Sequence, residues 1–138
     1  MTAAGVSTSI DYQGAVIDAS ALLAYLHDET GGAEVAEVLD GALMSTVNLS
    51  EVLQKAAHYG VDTTGLVDDL VELGVCFEPM SASHAALAAT LWPSTRRAGL
   101  SLADRACLAL AQEQNRPVFT ADRLWSEISL PLSVVLIR

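Results

Sequence analysis

Positive charge is what this chain most lacks. Its 138 residues include 7 Lys or Arg against 17 Asp or Glu, a formal net charge of −10. Lys55 is the only base before Arg96, and every base from there on is an arginine. Proteins that coat nucleic acid do so through a basic surface, so that class is excluded. An enzyme that meets a phosphate through a bound cation and a few arginines is not. Aromatic residues are also few, at 5%, in a chain that is 51% hydrophobic. Ala, Leu and Val dominate, which suits a compact α/β or all-α domain and excludes disorder. No apolar run approaches the roughly 18 residues that span a bilayer. The first ten residues show neither a basic n-region nor a long apolar h-region, so no signal peptide is expected. The two cysteines, Cys76 and Cys107, lie in apolar stretches. With no secretory signal they are expected as reduced core thiols in a cytoplasmic protein.

The length predicts one domain with a real core. Residues 1–14, small and polar, are expected to form an N-terminal arm, and 15–138 the domain. Short apolar runs predict strands at Ala15-Val16-Ile17, Leu43-Met44, Val75-Cys76-Phe77, Val118-Phe119-Thr120 and Val134–Ile137. Between them, apolar periodicity and cap residues predict helices over 20–26, 33–39, 47–59, 63–73, 81–91 and 101–114. The third of these is ended by Gly60, the fourth is capped by Thr63 or Thr64, and the fifth is stopped by Trp92-Pro93. Strands that are continuously apolar, rather than alternating, belong to a parallel sheet buried on both faces. The predicted architecture is a three-layer α/β/α domain with a central parallel sheet.

Four acids stand out on this scaffold. Asp18 follows the first strand and Asp122 the fourth. Glu51 and Asp104 lie in the first turns of helices that open on the same sheet edge, where α/β sheets place their sites. Each alone has an ordinary explanation. Asn48-x-x-Glu51 and Ser101-x-x-Asp104 fit capping boxes, and Asp18 and Asp122 fit N-caps. Capping does not explain why all these edges carry an acid. Four carboxylates in one cleft repel one another, and a hard cation such as Mg²⁺ or Mn²⁺ removes the conflict. No His or Cys pattern points to zinc. Ser20 and Thr120 stand where they can orient the carboxylates. A carboxylate-held cation is suited to activating water against a phosphodiester.

At these residues the chain resembles the PIN-domain ribonucleases, and most of all the VapC-type toxins of bacterial toxin–antitoxin pairs. The matching stretches are Val16-Ile-Asp-Ala-Ser-Ala-Leu-Leu-Ala-Tyr-Leu26, Asn48-Leu-Ser-Glu-Val52, Gly99-Leu-Ser-Leu-Ala-Asp-Arg-Ala-Cys-Leu-Ala-Leu-Ala111 and Pro117-Val-Phe-Thr-Ala-Asp-Arg-Leu-Trp125. The resemblance implies that Asp18, Glu51, Asp104 and Asp122 are the catalytic, metal-binding acids. It also implies Mg²⁺ dependence, an RNA substrate, a small cognate antitoxin, and a homodimer or a toxin–antitoxin hetero-oligomer. The arm before Val16 is longer than such toxins usually carry. Arg96 and Arg97, before the Asp104 helix, are the candidate phosphate contacts.

Other residues have plainer expectations. His58 reads as a partly buried packing residue, and His27 and His84 as surface residues. Trp92 and Trp125 read as covers of the core. Arg105 and Arg123 each follow a site acid but diverge from it along the backbone. Two other functions compete with this reading. A receiver-type phosphoacceptor domain needs an acidic pair after the first strand and a late-strand Lys, and the chain has neither. A non-catalytic metal- or partner-binding module of the same fold needs only the capping roles of the acids.

Overall fold

A computed structural model describes residues 14–138; all of the expected arm but Gly14 lies outside the described residues. Five strands form one sheet: β1 (Val16–Ile17), β2 (Leu43–Ser45), β3 (Cys76–Glu78), β4 (Val118–Thr120) and β5 (Val134–Leu136). Their order is β3-β2-β1-β4-β5, and every pairing is parallel. The helices are α1 (Ala19–Leu26), α2 (Gly32–Val38), α3 (Thr46–His58), α4 (Leu66–Glu72), α5 (Ala82–Thr90), α6 (Trp92–Thr95) and α7 (Leu102–Gln114), with 3₁₀ turns at Arg96–Ala98 and Arg123–Glu127.

Period-two alternation divides the core between the two sheet faces. Ile17, Met44 and Phe119 pack with α1, α2, Val52 of α3 and Leu70 of α4. Val16 and Val118 pack with Cys107, Leu108, Leu110 and Ala111 of α7 and with Trp125. This is the three-layer α/β/α architecture read from the sequence.

The chain runs outward from β1 to β2 and β3, then returns to place β4 on the other side of β1. The order of strands therefore reverses between β1 and β4, and a crevice opens beyond their carboxyl ends. Asp18 leaves β1 at that crevice, and Thr120 ends β4 beside it. The Asp18 N–H donates to the Phe119 carbonyl at 3.1 Å, continuing the ladder to the lip. Gly31 makes the tight approach from α1 to α2. Its φ is 91°, and a Cβ there would collide with Ile137 beside β5.

Several local expectations are corrected. The helix read over 63–73 starts later, after Gly65 in the left-handed region rather than after a Thr cap. Ser45, not Asn48, caps α3. The helix read over 81–91 does end at Leu91, but Trp92-Pro93 then opens a further turn, α6, because Pro is tolerated in a first turn. Between α6 and α7 the chain forms the 3₁₀ turn Arg96–Ala98. His84 is buried and His58 is exposed, the reverse of the expectation. Trp125 is buried as expected, but Trp92 is half exposed with the Arg96 guanidinium 5.0 Å over its ring. Both cysteines are free, but only Cys107 is in the core.

Candidate metal centre

The four acids named from the sequence line one cleft of about 140 Å³, together with Ala19, Ser20, Leu23 and Lys55. Each is fixed by its own element. Asp18 is the N-cap of α1, accepting from the Ala21 N–H at 2.8 Å. Asp104 completes a capping box with Ser101. Its carboxylate accepts from the Ser101 N–H at 2.9 Å, and its own N–H donates to Ser101 Oγ at 3.1 Å. Asp122 caps the last 3₁₀ turn by accepting from the Leu124 N–H at 3.0 Å. Glu51 stands in the second turn of α3 and accepts from Asn48 Nδ2 at 3.0 Å.

Ser20 and Thr120 act on Asp18 together. Ser20 Oγ donates to the Asp18 carboxylate at 2.8 and 2.9 Å, and Thr120 Oγ1 donates to Oδ2 at 2.6 Å. Each hydroxyl in turn accepts from the backbone beyond β4, Ser20 from Ala121 N–H at 2.9 Å and Thr120 from Asp122 N–H at 3.0 Å. Those backbone donors occupy the hydroxyl lone pairs and leave the hydroxyl protons for the carboxylate. The end of β4 thus holds the acid at the end of β1.

Even so, Asp18 is held against its charge. Burial and, to a smaller degree, the Asp104 carboxylate raise its pKa from 3.8 to about 6, against the lowering effect of Thr120, Ala21 and Ser20. Beneath the cleft, burial and the negative charges of Asp18, Asp104 and Glu51 push the Cys107 thiol well above its usual value. It stays a neutral apolar filler rather than a thiolate.

Among the described residues, no three His, Cys, Asp or Glu side chains converge into a ready-made cation cage. The hydrogen bonds show where each carboxylate is held: Asp18, Asp104 and Asp122 in their own caps, and Glu51 on the Asn48 amide. The donor set nevertheless suits a hard divalent cation. It is all carboxylate oxygen, and a cation would offset both the burial of the Asp18 charge and its repulsion by Asp104.

Two contributors to this geometry were not anticipated. Asn48 is 1% exposed, and its amide donates both to Glu51 and, at 3.1 Å, to the Ala103 carbonyl beside Asp104. It ties α3 to α7 at the level of the site. Its position three residues before Glu51 was noticed only as a cap. Lys55 lies one helical turn after Glu51, so it shares that acid's face; the spacing could have found it. Arg96 and Arg97 are exposed in their 3₁₀ turn and are not among the residues lining the cleft. Arg105 turns away, donating to the Ala88 carbonyl at 2.9 Å.

Comparison with known proteins bears on this arrangement. Solved structures of similar fold include a toxin–antitoxin complex from Klebsiella pneumoniae (18% identity, TM-score 0.72, covering 90% of this chain and 98% of that one). FitAcB from Neisseria gonorrhoeae is similar at 16% identity and TM-score 0.66, over 88% of this chain and 96% of its own. DNA-bound VapBC from Salmonella typhimurium is similar at 13% identity and TM-score 0.66, over 89% and 97%. No curated protein sequence matches significantly. The family model of the PIN domain matches residues 15–130, nearly the whole described chain, and the chain belongs to the PIN-domain family.

Proposed function

We propose that this protein is a divalent-metal-dependent endoribonuclease, the toxin of a toxin–antitoxin pair of the VapC type. The observation that carries the reading is the meeting of Asp18, Glu51, Asp104 and Asp122 in one cleft at the β1/β4 crevice. Membership of the PIN family supports nuclease chemistry, and the similarity to toxin–antitoxin complexes supports a small antitoxin partner. Toxin and antitoxin would act in the cytoplasm, as a homodimer or a hetero-oligomer.

The four carboxylates would hold Mg²⁺ or Mn²⁺, with Asp18 and Asp104 as the principal ligands. When bound, the cation supplies an activated water and neutralises charge on the phosphodiester. The chain's own residues do the rest. Ser20 and Thr120 fix the Asp18 carboxylate in one orientation, Asn48 fixes Glu51, and the Ser101 and Leu124 N–H groups fix Asp104 and Asp122. No side chain has to serve as nucleophile.

The test is cleavage of single-stranded RNA by the purified protein in Mg²⁺. Activity should vanish on chelation with EDTA and in Asp104→Asn. Undiminished cleavage by rigorously purified Asp104→Asn protein overturns the proposal. One second reading has an observation behind it. Every acid is satisfied by a cap or an amide and no cage is preformed, as expected of a non-catalytic binding module with this fold. That reading gains if Mn²⁺ titration neither binds nor raises the melting temperature.

A further inference from the structure

The acidic cleft does not end at its acids. Ser20, Leu23 and Lys55 also line a neighbouring groove of about 190 Å³, whose other walls are His27, Glu29, Tyr59 and Arg138. The two depressions are therefore continuous, with Lys55 at their junction.

The character of the lining changes across that junction. On one side stand four carboxylates. On the other stand two of the chain's seven Lys and Arg residues and one of its three histidines. Among the described residues, Lys55 enters no ion pair. Arg138 is braced rather than free, donating to Glu29 Oε1 at 3.3 Å and to the Thr30 carbonyl at 3.2 Å. Tyr59 is 68% exposed, the highest value among the large hydrophobic side chains of the described residues. Its ring is not loose: His58 and His27 meet it edge-on, with ring centres 5.3 and 6.1 Å away. An exposed aromatic face held in place beside a cation is how proteins grip single-stranded nucleic acid.

We infer that this second groove carries the strand flanking the cut, with a backbone phosphate at Lys55 and Arg138 and a base against Tyr59. The inference rests on the ribonuclease reading and deepens it. An endonuclease cuts within a strand, so nucleotides must continue out of the cleft. In a chain of charge −10, a polyanion is repelled along most routes. The groove at Lys55 is a route out of the acidic cleft with cations on its wall. It also explains how so acidic a protein holds RNA at all: the few bases needed are placed beside the site instead of being spread over the surface.

The experiment measures binding of a fluorescein-labelled single-stranded RNA by anisotropy, in Ca²⁺ and across a salt series, with cleavage in Mg²⁺ followed in parallel. Tyr59→Ala and Lys55→Ala should each weaken binding about tenfold. Lys55→Arg should restore it. The slope of log affinity against log salt should become shallower by about 0.7 in Lys55→Ala. Val71→Ser, on an exposed face of α4, is the control. If the wild type cleaves RNA but Tyr59→Ala and Lys55→Ala bind it with unchanged affinity and salt slope, the inference is overturned and the groove belongs to a protein partner. If the wild type neither binds nor cleaves RNA in either metal, the ribonuclease reading fails and takes the inference with it.

Discussion

Two carboxylates, Glu113 in the last turn of α7 and Asp18 at the end of β1, meet opposite fates. Glu113 receives Ser83 Oγ and pairs with His84 Nε2 at 2.6 Å, and these partners lower its pKa. His84 Nδ1 meanwhile accepts from the Ser81 N–H at 3.3 Å, which assigns the Nε2 proton to Glu113. Asp18 receives at least as many donors, yet its pKa rises to about 6. The difference is water and company. Glu113 is at the surface with a His beside it, whereas Asp18 is 4% exposed with another carboxylate nearby. Neutral donors compensate a surface charge but not a desolvated one. Glu113 is complete within the chain; on the proposed function, Asp18 would be completed by a cation.

The comparison breaks first on pH. The folded pKa of Asp18 lies above its ordinary 3.8, so the folded state holds the extra proton. Its contribution to stability is full below about pH 3.8 and is lost as pH rises through about 6, by about 3 kcal/mol in all. Urea unfolding of metal-free protein at pH 5 and pH 8 should show that loss. Mg²⁺ should raise the melting temperature more at pH 8 than at pH 5, because the ligand must be ionised. Equal metal shifts at both pH values would separate Asp18 from metal binding.

Thr120→Val tests the hydroxyl relay. It should cost about 2 kcal/mol at pH 8, where Asp18 is charged and loses a close donor, and less at pH 5. A cost independent of pH would reduce Thr120 to a packing role. Asn48→Ala removes the bridge between Glu51 and Ala103. RNA cleavage should fall about tenfold, with about 1 kcal/mol lost from the fold. Restoration of activity by raised Mg²⁺ would mark the loss as one of ligand positioning. The smallest effect belongs to Glu113. Its lowered pKa gives stability present above the ordinary 4.5 and lost as pH falls through the lower folded value. Glu113→Gln should therefore flatten acid unfolding below pH 4.5 and leave the Asp18 slope untouched.

Much of this was legible in advance, for definite reasons. β4 was read to the residue, because Val118-Phe119-Thr120 is apolar, bounded, and buried on both faces. Asp18, Asp104 and Asp122 were read as caps and are caps, while the cleft they line was reached by adding topology to the pattern. What escaped depended on tertiary contact. His84 is buried only because α5 lies against α7 and brings Glu113 to it. Asn48 looked like a cap because its second partner, Ala103, is 55 residues away in the chain. Cys76 looked like core, yet β3 lies at the sheet edge, where the middle residue of the apolar run meets solvent. Lys55 was within reach of helical spacing; its value lies in the groove beside it, which only the fold creates.

The bond from Thr120 to Asp18 also sets a timetable. It joins residues 102 positions apart, and the β1–β4 pairing beneath it spans as much chain. Contacts of such separation wait on the closure of long loops and form late. A chain emerging from the ribosome carries Asp18 and Glu51 long before it carries the strand that aligns the first of them. The cleft is therefore completed only once β4 has been made, and any chemistry housed there would wait until synthesis is nearly done.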